Sequence, residues 1–136
     1  MNKKLYGVLG FPVKHSLSPA MHNAAFLALG IEAEYRLFEI KPDDLGGFFN
    51  SLREKNICGF NITVPYKQTA IVYLDSLSSE ARLIGAVNTV NVTDRGLEGF
   101  NTDGEGFLKH LVEDLKFDPA GKSISVIGAG GERHAG

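Results

Sequence analysis

Leu5 to Gly10 is a short apolar run ending in Gly-Phe-Pro, the pattern of a buried strand that opens into a loop at its carboxyl end. Met21, Ala24, Ala25, Leu27 and Ala28 then recur at helical spacing behind Ser18 and Pro19. A helix is expected from about Pro19 to Leu29, with Ser18 at its N-cap and Gly30 ending it. Ala33 to Ile40 sets Tyr35, Leu37 and Phe38 among charged residues, which suits a half-exposed strand. Pro42-Asp43-Asp44 starts a second helix through Leu45, Phe48, Phe49 and Leu52, ending near Lys55-Asn56. Its two phenylalanines belong to the core.

Residues 57–64 are β-branched or apolar at most positions and form the central buried strand, which Pro65 stops. Asn61 and Thr63, two apart, share a face of that strand, and Lys67 emerges from the turn past its carboxyl end. Strand, helix, strand, helix, strand in this order gives a largely parallel sheet. Ligands of open α/β sheets bind at the carboxyl edge of the strands, where Lys67 would sit.

Two short helical patterns follow, around Thr69 to Leu74 and Ser79 to Ile84, the second closed by Gly85. Ala86 to Val92 and Leu97 to Asn101 flank the turn Thr93-Asp94-Arg95-Gly96 and are expected to add a β-hairpin to the sheet. Asn88 and Thr89 inside that run need internal partners or a ligand, because unsatisfied amides and hydroxyls cost stability. Asn101 to Phe107 leads into a helix with Phe107, Leu108, Leu111, Val112 and Leu115 on its apolar side. Asp103 stands at its amino end, suited to complement the dipole or to stay ionised beside a lysine. Phe117 to Gly121 reads as a linker, and Lys122 to Ile127 as a new strand running into Gly128-Ala129-Gly130-Gly131. A strand opening into a glycine turn is how a dinucleotide-binding βαβ unit begins.

Composition narrows the function classes. A net charge of −2 and the absence of a long Lys/Arg run leave no electrostatic footprint for nucleic acid. The single cysteine, Cys58, forms no internal disulfide, and the four histidines show no metal-ligand spacing. Lys3-Lys4 and the apolar run after it resemble a short signal sequence, but Gly7, Gly10 and Pro12 interrupt it and no small-residue cleavage site follows. A metal-free, cytoplasmic chain with no membrane span is expected. The helix at Pro19, flanked by Ser16 and Ser18, would seat a small carboxylate.

Ser16-Leu17-Ser18-Pro19, the stretch Asn61 to Lys67, Gly85-Ala86-Val87-Asn88-Thr89, Gly99 to Gly104 and Gly128 to Gly131 resemble, in that order, the motifs of the shikimate dehydrogenases. The resemblance implies NADP-dependent reversible reduction of 3-dehydroshikimate to shikimate, in a cleft between a substrate domain and a Rossmann cofactor domain. It implies that Ser16 and Ser18 bind the substrate carboxylate and that Thr63, Asn88 and Asp103 hold the ring hydroxyls. Lys67 and Asp103 would be the acid–base pair, and Gly128, Ala129, Gly130 and Gly131 would bind the cofactor. Small-molecule substrate is the implied partner, and a homodimer is admitted. The expected fold class is α/β, a mostly parallel open sheet with helices on both faces and a β-hairpin, followed by the first strand of a Rossmann domain.

The chain departs from the family in two respects. Family members run to roughly twice this length, so residues 1–116 are expected to form the substrate-binding catalytic domain and 117–136 a linker and the start of an incomplete cofactor domain. Such a polypeptide would bind shikimate weakly and not turn over. Glu132 and Arg133 also stand where the family usually has small residues after the glycine turn, placing a negative charge where a pyrophosphate would lie. The alternatives are a quinate/shikimate dehydrogenase, a binding module for anionic hydroxy acids in which Lys67 is a plain counter-charge, and a dehydratase-like lysine that forms a Schiff base.

Overall fold

The computed structural model describes residues 3–128. Six strands form one sheet in the order β2-β1-β3-β5-β6-β4: β1 Lys4–Gly10, β2 Ala33–Glu39, β3 Ile57–Ile62, β4 Ser76–Leu77, β5 Thr89–Thr93 and β6 Gly96–Phe100. The first three are mutually parallel, as the alternation of strand and helix requires. β5 and β6 are the expected antiparallel hairpin, and β5 joins the sheet antiparallel to β3. The two-residue β4, which the sequence pattern does not announce, pairs parallel to β6. Among the described residues no helix is long and apolar enough to cross a membrane.

Strand alternation sends Leu9, Phe60, Ile62 and Val90 to one face of the sheet, where they form the core with α2, Leu45–Asn50. Phe48 meets Phe60 edge-on at 5.4 Å, and Phe49 meets it at 5.8 Å. Each such fully buried side chain stabilises the fold by about 1.5–3 kcal/mol. The expected helix over this stretch is shorter than its pattern: Pro42–Asp44 is a 3-10 turn and Leu45–Asn50 the only α-helical part. Leu52 is still buried, because a turn after Asn50 carries it to the core.

On the opposite face lies α1, Ser18–Leu29. No residue of α1 is buried, and Met21, Leu27 and Leu29 are 62%, 85% and 72% exposed. Its apolar repeat at Met21, Ala24 and Leu27 therefore does not mark a core-facing stripe. The helix is held instead by Asn23, whose amide donates to Tyr35 O at 2.9 Å and accepts from Tyr35 N–H at 2.8 Å. Asn23 thus acts as a one-residue strand neighbour for β2 and satisfies an edge that would otherwise be open. His22 stacks on the Tyr35 ring at 4.2 Å, and Phe26 lies near Tyr6.

Gly30 and Gly85 end α1 and α3, Ser79–Ile84, in the left-handed conformation, with φ of 66° and 76°. α4 spans Asp103–Lys109 and continues as a π-helical segment, His110–Asp114. Lys122 to Ile127 is not a strand: no ladder includes it. A β-strand exists through its neighbours, and among the described residues this segment has none to pair with.

Candidate active site

The loop from β1 to α1 and the exit of β3 form a recess of about 270 Å³, lined by Val8, Pro12, Val13, Lys14, His15, Ser16, Ser18 and Thr63. Backbone bonds close its walls. Thr63 N–H donates to Leu9 O at 2.8 Å, Phe11 N–H to Val64 O at 3.1 Å, and Ser16 N–H to Val13 O at 3.0 Å. Val13 N–H donates to the Glu39 carboxylate at 3.1 Å, whose other oxygen faces Lys14 Nζ at 3.7 Å. The expected N-cap is corrected here. Leu17 occupies that position without a side-chain bond, and Ser16 Oγ accepts from Ser18 N–H at 3.2 Å. Ser16 therefore orders the entry to the helix, and Ser18 does not serve as its cap.

Past β3 the chain turns at Tyr66, which is buried and donates its hydroxyl to Ile40 O at 2.5 Å. That anchor and the bond from Val87 N–H to Lys67 O at 2.7 Å fix the backbone from which Lys67 projects. Lys67 Nζ donates to Asp103 Oδ2 at 2.8 Å. Asn88, itself buried, donates from Nδ2 to Asp103 Oδ1 at 2.9 Å and to Thr102 Oγ1 at 2.9 Å. Asp103 N–H donates to Asn101 Oδ1 at 3.0 Å, and Asn101 Nδ2 donates to Ala86 O at 3.0 Å. Asn88 thereby holds one carboxylate oxygen, while the bond to Asn101 fixes the backbone that carries it.

The Lys67 and Asp103 side chains are 20% and 40% exposed, so their ion pair contributes only about 0–1 kcal/mol to stability. The stability of the ion pair does not account for its placement. What the pair does provide is an ammonium proton held at a sheet edge by a carboxylate whose orientation is fixed.

The structure gathers the six sequence-derived candidates into two neighbouring groups. Ser16, Ser18 and Thr63 line the recess, and Lys67, Asn88 and Asp103 form the hydrogen-bonded cluster. They adjoin at the exit of β3, where Ile62 N–H donates to Asn88 O at 2.8 Å immediately before Thr63. Asn61 does not join Thr63 at the recess; it turns to Tyr35 and Thr89. Of the proposed cofactor residues, Gly128 is described, with φ of 126°, and Ala129, Gly130 and Gly131 lie outside the described residues.

Sequence reasoning missed Tyr35 and Thr102 as supporting groups. Tyr35 donates its hydroxyl to Asn61 Oδ1 at 2.8 Å, and Thr102 contacts Asn88 through both its hydroxyl and its N–H. The available signal was the run of amides and hydroxyls at Asn61, Asn88 and Thr89, which had to find donors nearby.

Burial pushes the Tyr35 phenol from its usual 10.0 up to about 12. The unfolded chain then loses this proton first, so between those two values it binds fewer protons than the folded chain, and stability falls as pH rises. Tyr66, raised chiefly by burial, acts in the same direction. Urea unfolding at a series of pH values above 10 should show a shallower decline for Tyr35→Phe than for the wild type. Equal slopes would mean that Tyr35 keeps no proton advantage in the folded state.

Residues 8–90 match the family model of the shikimate dehydrogenase substrate binding domain. The chain is 49% identical over 132 residues to the shikimate dehydrogenase (NADP(+)) of Geobacter metallireducens, covering 97% of this chain and 46% of that protein. It thus spans about half the length of the curated relatives it matches. Among solved structures, the shikimate dehydrogenase of Aquifex aeolicus superposes with a TM-score of 0.92 at 44% identity, covering 99% of this chain and 51% of that one. The Thermus thermophilus shikimate 5-dehydrogenase in complex with shikimate gives 0.87 at 43% identity, covering 96% and 49%. With the family model matching well over half of its residues, the chain belongs to the shikimate dehydrogenase family, as its substrate-binding domain.

Proposed function

We propose that this chain supplies the substrate half of an NADP-dependent shikimate dehydrogenase site, reducing 3-dehydroshikimate reversibly to shikimate. The observation that carries this reading is the Lys67–Asp103–Asn88 cluster set at the exit of β3, beside a recess lined by Ser16, Ser18 and Thr63. In this reading residues 1–116 are the substrate-binding unit and 117–136 lead out of it. The two serine hydroxyls and the amino end of α1 take the substrate carboxylate, since both offer donors and the helix end carries partial positive charge. Thr63, Asn88 and Asp103 take the ring hydroxyls.

Lys67 acts on the carbonyl oxygen. Negative charge grows on that oxygen as the carbonyl carbon is reduced, and a positioned ammonium both stabilises the charge and donates the proton. In the reverse direction the amine of Lys67 takes the hydroxyl proton back. Asp103 keeps Nζ aimed and compensates its charge. NADP, when bound, supplies the hydride chemistry. Gly128 suits a backbone that approaches such a group, because φ of 126° is a conformation side-chain-bearing residues rarely adopt.

Titration of shikimate into the isotope-labelled 136-residue chain tests the site. Binding near the millimolar range is expected, since one wall of the cleft gives only part of the contact energy. Shift changes should centre on Ser16, Ser18, Thr63, Lys67, Asn88 and Asp103. Changes clustered elsewhere would refute the assignment.

A further inference from the structure

We propose that Thr89 is a positioning residue of the acid–base cluster, through a one-way string of hydrogen bonds that runs Tyr35–Asn61–Thr89–Asn88–Asp103. The inference rests on the proposed role of Lys67 and Asp103 for its function, though its geometry is independent of any ligand. Tyr35 Oη donates to Asn61 Oδ1 at 2.8 Å, Asn61 Nδ2 donates to Thr89 Oγ1 at 3.1 Å, and Thr89 Oγ1 donates to Asn88 Oδ1 at 3.0 Å. Asn88 Nδ2 then donates to Asp103 Oδ1 at 2.9 Å.

The direction of the string is set by backbone groups that cannot reverse. Asn61 Nδ2 also donates to the backbone carbonyl of Asn88 at 3.3 Å, and a carbonyl only accepts, so the amide of Asn61 must turn its NH2 toward Thr89. Asn88 Oδ1 also accepts from the backbone N–H of Thr102 at 3.0 Å, and an N–H only donates, so the oxygen of Asn88 must face Thr89. Between a fixed donor and a fixed acceptor, the Thr89 hydroxyl has one orientation that satisfies both. In that orientation it holds the Asn88 oxygen and thereby leaves the Asn88 NH2 aimed at Asp103. Among the described residues the Thr89 hydroxyl bonds Asn61 and Asn88, not Lys67 or Asp103, and it acts through Asn88.

Valine is the informative replacement, because it keeps the β-branched shape in β5 and changes only the hydroxyl, to a methyl group. The Asn61 amide retains the Asn88 carbonyl, and Asn88 retains Thr102 N–H, so the sheet keeps its other bonds. Side-chain amide spectra of the 136-residue chain report Asn88 directly and need no ligand. Thr89→Val should speed solvent exchange of the Asn88 Nδ2 protons about fivefold, as expected for one neutral hydrogen bond, and weaken shikimate binding by a similar factor. Thr89→Ser should restore both. Asn88 exchange in Thr89→Val within about twofold of wild type, where the bond predicts about fivefold, would overturn the proposal. Should Thr89→Val not fold, Thr89→Ala, which also lacks the hydroxyl, is read in the same way: Asn88 exchange about fivefold faster than wild type supports the proposal, and exchange within about twofold overturns it. A wild-type chain that fails to bind shikimate, yet shows the Thr89-dependent exchange, would refute the functional reading and leave the string in place.

Discussion

Lys67→Ala, in a chain completed with the second half of a relative such as the Geobacter metallireducens enzyme, should lower turnover by about two orders of magnitude or more and leave shikimate affinity within a few-fold. The asymmetry follows from when the ammonium is needed. In the ground state the substrate oxygen is a neutral carbonyl or hydroxyl, and the binding of the substrate is shared with Ser16, Ser18, Thr63 and Asn88. In the transition state the oxygen carries developing charge and requires a proton. Removing a preorganised donor at that point costs about 10²–10³ in rate even where other groups remain. Isothermal titration with shikimate and steady-state rates on the same preparations separate the two effects. Affinity lost with turnover of the bound complex preserved would favour a module in which Lys67 is a plain counter-charge. Borohydride treatment with 3-dehydroshikimate distinguishes the remaining chemistry, because trapping of substrate on Lys67 would indicate a Schiff base instead of proton transfer.

The parts of the fold legible in the sequence are those in which local pattern and tertiary role agree. The parallel trio β1, β2 and β3 follows from apolar runs separated by helical spacing, and the β5–β6 hairpin follows from a turn between two runs. Phe48 and Phe49 pack where their helix predicted, against Phe60. The failures arise where tertiary context decides. α1 carries alanine, leucine and methionine around most of its circumference, so its spacing did not reveal which side docks; that side carries Asn23, paired with the edge of β2, together with His22 on Tyr35 and Phe26 by Tyr6. β4 is two residues long and owes its pairing to β6 alone. Lys122 to Ile127 has the composition of a strand but no neighbour among the described residues, and composition cannot supply one.

The site was legible in a different way. Lys67, Asn88 and Asp103 are separated by 21 and 15 positions in sequence, and no periodicity connects them. Each was visible only as a polar residue at a strand exit or inside an apolar run. The sheet order explains their meeting: β5 lies beside β3, so the loop entering β5 and the loop leaving β3 share one edge. The recess shows the same logic, since Thr63 follows β3 and the serines follow β1, its parallel neighbour.

Asp103→Asn should be as damaging to turnover as loss of Lys67, about 10²-fold or more, and the reason lies in the amide's two unlike ends. The carboxylate accepts at both oxygens, from Lys67 Nζ at Oδ2 and from Asn88 Nδ2 at Oδ1. An asparagine offers one acceptor and one donor. If its oxygen faces Asn88, its NH2 confronts the Lys67 ammonium; if its oxygen faces Lys67, its NH2 confronts the Asn88 NH2. Neither orientation reproduces the cluster. Asn88 cannot rotate to relieve the second arrangement, because Thr102 N–H and Thr89 hold its oxygen. Lys67, at 20% exposed, moves more easily, so the variant should keep the Asn88 contact and lose the bond between Lys67 and residue 103. The fold should survive, because Asp103 is 40% exposed and its backbone bond to Asn101 is unaffected. Asp103→Ala, which removes the donor conflict along with the charge, should displace Lys67 less while still lacking the group that aims it. Steady-state rates for both variants in the completed chain, with thermal unfolding to confirm folding, provide the comparison. Asp103→Asn turning over within about tenfold of wild type, against the 10²-fold or larger loss expected of a general acid–base group, would mean that Lys67 does not depend on this carboxylate, and the acid–base pair would reduce to Lys67 alone.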